Sequence, residues 1–395
     1  MSRFRQVLPV EGLAKIEIKL WRGDLTIRGA SAGTVGVLES DGEMEVTTDG
    51  NLLHCKQIGG LATLLGEQQV RIAIDGNVLY EKQLRFSGSN VSVVLPASVR
   101  ELRCRIGHGD IRLDDVDADV SLHIGMGNAF LSSGRGRLMV RAGASETIRV
   151  FGWQGPVEFS AGTGDMEAEV IDGDVKSTIG KGSIKIDGAA RVEAKTGAGD
   201  LAVSRISGEA VLRTGKGHIL GTSLNGVRLD TRTGKGEIAL SGHLAGLKAV
   251  TGCGEIICRC DLAEGTYDLR SGSGHISFDL PDGIEVRIDA SARHGRIESD
   301  LPLIKVGTTG PAGYFGKRLV GSIGSAEAKT KLFLRAEHGD IRIFRLRPEG
   351  EAGPIERQAG QEEDRERIIL EAVSRSEISV DEAMMLLDKS TQVEA

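Results

Sequence analysis

Proline is scarce, at 8 of 395 residues, and no Gly-X-Y triplet runs through the chain, so a collagen helix is excluded. No stretch approaches the ~20 consecutive apolar residues that a helix needs to cross a bilayer, and direct membrane insertion is not expected. At the N-terminus Arg3 and Arg5 are followed by Pro9, Glu11 and Lys15, which interrupt any apolar run. No secretory signal is read there, and a cytoplasmic location is the expectation. Positive charge is also in deficit. The formal net charge is −7, whereas a phosphate-binding surface needs clustered Lys and Arg, so nucleic acid is not an expected partner.

The five cysteines, Cys55, Cys104, Cys253, Cys258 and Cys260, form an odd set without paired metal spacing. Cys253, Cys258 and Cys260 lie close together but have no partner His cluster, so reduced thiols and no metal or cofactor are expected. Cys104 alternates with Leu102 and Ile106, and Cys258 with Ile256, which turns both thiols inward as small hydrophobes.

What the chain has in excess is glycine: 55 of 395 residues, about 14 % and twice the usual share. Turn-dense β structure accommodates that excess, and a hydrophobic fraction of 40 % is ample for a core. The glycines keep time. Pairs separated by one residue begin at Gly107, Gly125, Gly143, Gly162, Gly180, Gly197, Gly215, Gly234, Gly252 and Gly272. The steps are 18, 18, 19, 18, 17, 18, 19, 18 and 20 residues, and a fixed period of this length means stacked repeats.

Aligned on the first glycine, position 5 is a single apolar column of Ile111, Met166, Ile184, Leu201, Ile219, Ile238, Ile256 and Ile276. Two residues on come Leu113, Leu131, Ile186, Val203, Leu240, Cys258 and Phe278, the same face of a strand. A turn and a second alternating strand follow, as in Val120, Leu122 and Ile124. One such coil leaves its apolar row and its backbone groups open, and stacking at about 4.8 Å closes both.

The expectation is therefore an all-β, parallel β-helix-like solenoid of about 18–19 residues per coil. Its glycines stand where the chain must reverse with positive φ. The residue after each pair is often polar, as in Asp110, Asn128, Asp165 and Asp200, and such side chains bond the turn backbone. One repeat breaks the pair with Ser145 and adds Trp153, which predicts a bulge.

Residues 1–86 read as irregular strands that begin and cap the stack, and 87–346 as the solenoid, with an insertion at 301–331 that offers the one long loop. Residues 347–361 read as a linker. Residues 362–395 carry helix signals and read as a helical hairpin: Ile368, Ile369 and Val373 recur at helical spacing, and a capping box of Ser379 and Glu382 precedes Met384 and Leu387. Two helices this short need a partner surface, so these five apolar residues are the expected face for self-association or a protein partner.

The Gly-x-Gly-Asp-Ile repeats resemble the bacterial putative-adhesin β-strand-repeat family, as do the passages VVLPASVRELRCRIGHGDIRL and FDLPDGIEVRIDASARHGRIES, in which Leu-Pro leads into a strand and then a His-Gly turn. The resemblance covers about residues 90–345 and implies a β-solenoid without an assigned activity. The tail ERIILEAVSRSEISVDEAMMLLDKS is similar to the short SHOCT-like helical segment that accompanies such repeats and is thought to mediate oligomerisation. In envelope-stress relatives that segment is N-terminal, whereas here it is C-terminal.

Candidate sites are few. Lys181, Lys216 and Lys235 each occupy the middle of a Gly-Lys-Gly corner, where corner amides plus an ammonium group would hold a phosphate or a polysaccharide carboxylate. A solvated corner lysine is the plainer alternative, and the spacing is not that of a phosphate-binding Walker loop. Calcium-binding nonapeptide repeats need a shorter period and doubled glycines. Asp279, Asp282, His294 and Asp300 beside the insertion would suit a sugar-cleaving β-helix enzyme, but no nucleophile, base and orienting group assemble from their spacing. The expected function is thus a non-catalytic scaffold or binding protein, linked to the cell envelope or stress response, that self-associates or recruits through residues 362–390. The alternatives are a carbohydrate-active enzyme or a module that binds a glycan or other anionic polymer.

Overall fold

The glycine steps return as hydrogen-bonding register. In the computed structural model of the chain, Leu102 lies opposite Val120. The same ladder continues through Leu138, Val157, Val175, Val192, Ala210, Leu229, Leu247 and Tyr267, every pairing parallel. Its offsets are those of the glycines, because each pair ends one strand of a coil and opens the next. The strand entering the pair builds an approach face and the strand leaving it a departure face. On the departure face Leu25, Ile111, Ala129, Ile148, Met166, Ile184, Leu201, Ile219, Ile238, Ile256, Ile276 and Ile341 stack in one fully buried column. The two faces share one apolar core that runs the length of the stack. Cys55, Cys104, Cys258 and Cys260 lie in it, and burial pushes the Cys55 thiol up to about 12.

The structure describes residues 4–8, 13–30, 36–42, 44–57, 68–74, 77–84, 90–307, 317–325 and 327–346, and among them every regular element is a strand. The expected linker at 347–361 and helical hairpin at 362–395 lie outside the described residues.

Both ends depart from the simple chain-order stack that the repeat suggests. The first coil, Lys15–Arg22 and Leu25–Gly29, pairs on one side with Glu101–His108 and Ile111–Asp114. On its other side it meets Leu52–Gln57 and Val91–Leu95, which come later in the chain. At the far end Thr330–His338 and Ile341–Arg345 slot between Thr266–Ser273 with Ile276–Leu280 and Val286–His294 with Ile297–Ser299. The first and last coils are therefore held on both sides. The exposed edges fall on internal segments and are covered by antiparallel strands: Met44–Asp49, Gly36–Ser40 and Phe4–Leu8 at one end, Lys317–Ile323 and Ile304–Gly307 at the other. The described part of the 301–331 insertion is thus mostly an edge cover. A bare parallel edge would present unpaired amides to any other strand, which the antiparallel caps prevent.

The corners explain the glycines by contact as well as by φ. The second glycine of each pair stacks on its counterpart one coil away. A Cβ on Gly182, at φ +139°, would stand 2.1 Å from the Gly164 carbonyl oxygen, and the same clash recurs at Gly199, Gly217, Gly236 and Gly254. From Thr196 onward the carbonyl of that glycine accepts a hydrogen bond from a buried hydroxyl: Thr196 to Gly182, Thr214 to Gly199, Thr233 to Gly217, Thr251 to Gly236 and Ser271 to Gly254, at 2.9–3.1 Å. The polar residue after the pair behaves differently from expectation, because its side chain reaches along the stack instead of bonding its own turn. Asp110 accepts from the Asn128 amide at 2.8 Å, Asp165 from Ser183 at 2.7 Å and Asp200 from His218 at 2.7 Å. The bulge forms at Ser145, where the register shifts between Ala144 and Thr147. Trp153 is fully buried one corner further on, its Nε1 donating to Gly136 at 2.7 Å, and its ring fills the space that a Cβ on Gly134 would need.

Candidate functional site

Constant register turns every outward position into a column of side chains about 4.8 Å apart, and three such columns matter here. The middle residue of each glycine pair makes the first. In it Lys216 and Lys235 are direct neighbours, while Ala198 stands between Lys216 and Lys181. All three lysines are exposed. The amides beside them are engaged, since Gly199 donates to the Lys216 carbonyl and Gly217 to that of Lys235, each at 2.8 Å. Only the ammonium groups are left to meet an anion at these corners.

The second column lies on the approach face two residues before the first glycine: Lys56, Lys19, Arg105, His123, Arg141, Ser160, Thr178, Lys195, Arg213, Arg232, Val250 and Arg270. Two residues earlier on each strand runs the third column, and it decides which of these cations is neutralised. Glu17 pairs with Lys19 at 3.0 Å, Glu193 with Lys195, Asp230 with Arg232 at 3.2 Å and Asp268 with Arg270 at 2.6 Å. Arg213 reaches the same Asp230 at 3.9 Å. At Lys56, Arg105 and Arg141 the upstream residue is His54, Arg103 or Met139; among the described residues no ion pair neutralises Arg105 or Arg141, while Lys56 lies directly opposite Glu45 on the antiparallel cap strand.

These cations sit together over a groove of about 710 Å³. Its floor is bare backbone at Gly107, Gly125, Gly143 and Gly162, and Lys19, Lys56, Arg105, His123, Arg141 and Trp21 line it. Trp21 stands in the column that glycine occupies in the following coils, since the flanking residues pair as Leu20 with Ile106 and Arg22 with His108. It therefore closes the end of the glycine channel, with 46 % of its surface exposed. His123 lies between the two arginines. Partial burial, followed by the charges of Arg105 and Arg141, holds its pKa below the usual imidazole value, which keeps the ring neutral at neutral pH. The sequence reading did not single out this patch. Its signal was present in plain form as the contrast between acid-x-base strands, such as Glu17-Ile18-Lys19 and Asp268-Leu269-Arg270, and strands lacking the acid, such as Arg103-Cys104-Arg105.

The acidic and histidine residues considered for sugar cleavage do not converge. Asp279 pairs with Arg259 at 3.0 Å, Asp300 accepts from the Arg345 amide at 3.3 Å, and Asp282 is exposed in a turn. His294 stacks on His338 with ring centroids 4.9 Å apart. Among the described residues no group of three or more His, Cys, Asp or Glu side chains is placed to hold a metal ion.

Fold and surface together define an all-β, solenoid-like repeat protein that displays ordered columns of side chains. The chain belongs to the Toastrack DUF4097 family, whose model matches residues 7–344. No curated protein matches it. Among solved structures it is similar to a putative cell adhesion protein from Clostridium sporogenes, at 11 % identity and a TM-score of 0.15, over 87 % of this chain and 99 % of that one. It is similar over 87 % of its length to a putative adhesin from Bacteroides fragilis, at 11 % identity and a TM-score of 0.20, covering 97 % of that chain. A putative lipid binding protein from Parabacteroides distasonis matches at 10 % identity and a TM-score of 0.24, over 87 % and 97 % of the two chains.

Proposed function

We propose that this protein is a rigid, non-catalytic binding scaffold. The observation that supports the reading is the unbroken register of the approach face from Lys15 to Tyr267, which holds outward side chains at fixed intervals on a surface anchored by a continuous core. Such a surface recognises an extended partner by repetition, not by a single pocket. In this reading the apolar residues Ile368, Ile369, Val373, Met384 and Leu387 of the C-terminal segment join copies of the chain or recruit a protein partner, because their sequence spacing makes one apolar stripe too small to stand alone.

Removing residues 350–395 tests the second part. The far-ultraviolet β signal is expected to persist while the mass measured by light scattering falls to that of one chain; an unchanged mass would remove self-association through the tail. Incubation of the intact protein with a panel of glycans tests the first part, and release of shortened sugars would replace the scaffold with an enzyme.

A further inference from the structure

The groove on the approach face has a charge pattern that the rest of the same column lacks. Elsewhere each cation has a carboxylate beside it on its own or the adjacent strand, and the column is electrically quiet. Of the five strands from Lys56 to Arg141 only that of Lys19 carries the upstream acid, the others having His54, Arg103, Ser121 and Met139 in its place. Lys56, Arg105 and Arg141 stand two coils apart in turn, so their positive charges recur roughly every 10 Å along the column, with no ion pair on Arg105 or Arg141 among the described residues. Glu45 lies opposite Lys56, and Glu17 and Glu158 stand on strands adjacent to Arg105 and Arg141, but among the described residues no ion pair joins either arginine to them; burial first, and then the charges of these two arginines, lower the pKa of His123 between them. An isolated fold gains nothing from this arrangement; a ligand bearing negative charges at the same interval does.

The remaining walls narrow the chemistry. The glycine floor is flat and presents no side chain, so a ring lies against it without collision. The half-exposed Trp21 at its end offers an aromatic face, which suits the C–H face of a sugar ring and has no use for the edge of a phosphate chain. We propose that this groove binds a linear acidic polysaccharide, its carboxylates on Lys56, Arg105 and Arg141 and one sugar ring on Trp21. The proposal rests on the binding-scaffold reading and names its partner.

Trp21 and Trp153 are the two tryptophans of the chain, and Trp153 is fully buried, so a ligand-induced change in emission reports on Trp21. The full-length protein is titrated at low salt with an oligogalacturonate, with neutral dextran and with polyphosphate. A saturable change with the oligogalacturonate alone, weakening as salt rises, is expected. The double variant Arg105→Gln/Arg141→Gln should bind about tenfold or more weakly, since both charges face the ligand. Arg213→Gln, in the same column but paired with Asp230, should bind as the parent does. All three substituted side chains are exposed, and circular dichroism confirms that each variant is folded. Absence of a change, equal response to dextran or polyphosphate, or undiminished binding by the folded double variant would each overturn the proposal while leaving the scaffold reading standing. Binding followed by shortening of the oligogalacturonate would uphold the groove and overturn the scaffold reading.

Discussion

At the scale of single residues, the core contains pairs of chemically identical groups in opposite circumstances. Thr214 and Thr231 are both buried on the approach face, one coil apart and one inward position offset. The Thr214 hydroxyl donates to the Gly199 carbonyl at 3.0 Å, whereas the Thr231 hydroxyl has no partner. Replacing each by valine preserves shape and removes the hydroxyl, so the signs should differ. Thr214→Val should lose about 1 kcal/mol of stability, because a buried carbonyl loses its donor, and Thr231→Val should gain a similar amount by removing an unsatisfied buried hydroxyl. Urea denaturation of the two variants checks both, and the same sign for both would refute the argument. The inward alternation that identifies these positions was readable in the sequence. Which hydroxyl finds a carbonyl was not, because the acceptor lies on the neighbouring coil.

At the scale of the coil, the second corner is the weaker joint. In the seven successive coils whose departure strands open at Ile111 to Ile219, one residue at the end of that strand adopts a left-handed conformation: Asp115, Ser133, Gly152, Val170, Gly188, Arg205 and Ser223, with φ between 51° and 84°. Glycine and short polar residues tolerate that region, but Val170, at φ 55°, is β-branched and pays a steric penalty. Its side chain is 53 % exposed and contributes little core packing. Val170→Asn should therefore raise stability by about 1 kcal/mol, read as a higher melting temperature; a lower one would show that the valine has a packing role that its exposure conceals. The first corner was legible from sequence because steric contact between stacked coils selects glycine there, Ser145 being accommodated only with a shift of register. The second was not, since seven positions of different residue types share one conformation and no residue type marks it.

At the scale of the whole molecule, the interleaved ends remove the usual weakness of a stack, whose terminal coils pair on one side only. Lys15–Gly29 and Thr330–Arg345 are each flanked on both sides. Native-state hydrogen exchange should therefore find Ile18, Ile27, Leu334 and Ile343 protected as strongly as Leu212 or Ile238 in the middle. Graded fraying from both chain ends inward would contradict the interleaving. The covering antiparallel strands at Phe4–Leu8 and Ile304–Gly307, bonded along one side, should exchange first.

The period, the inward columns, the glycine corner and the all-β class were determined by the sequence alone, because they are local rules repeated coil after coil: alternation sets which side chains turn inward, and a recurring steric constraint selects glycine. The order of the end coils, the covered edges and the uncompensated cations over the glycine floor were decided only in the tertiary structure. Each depends on which strand lies beside which, and a partner 65 residues distant, such as Leu332 against Tyr267, leaves no periodic mark on the chain.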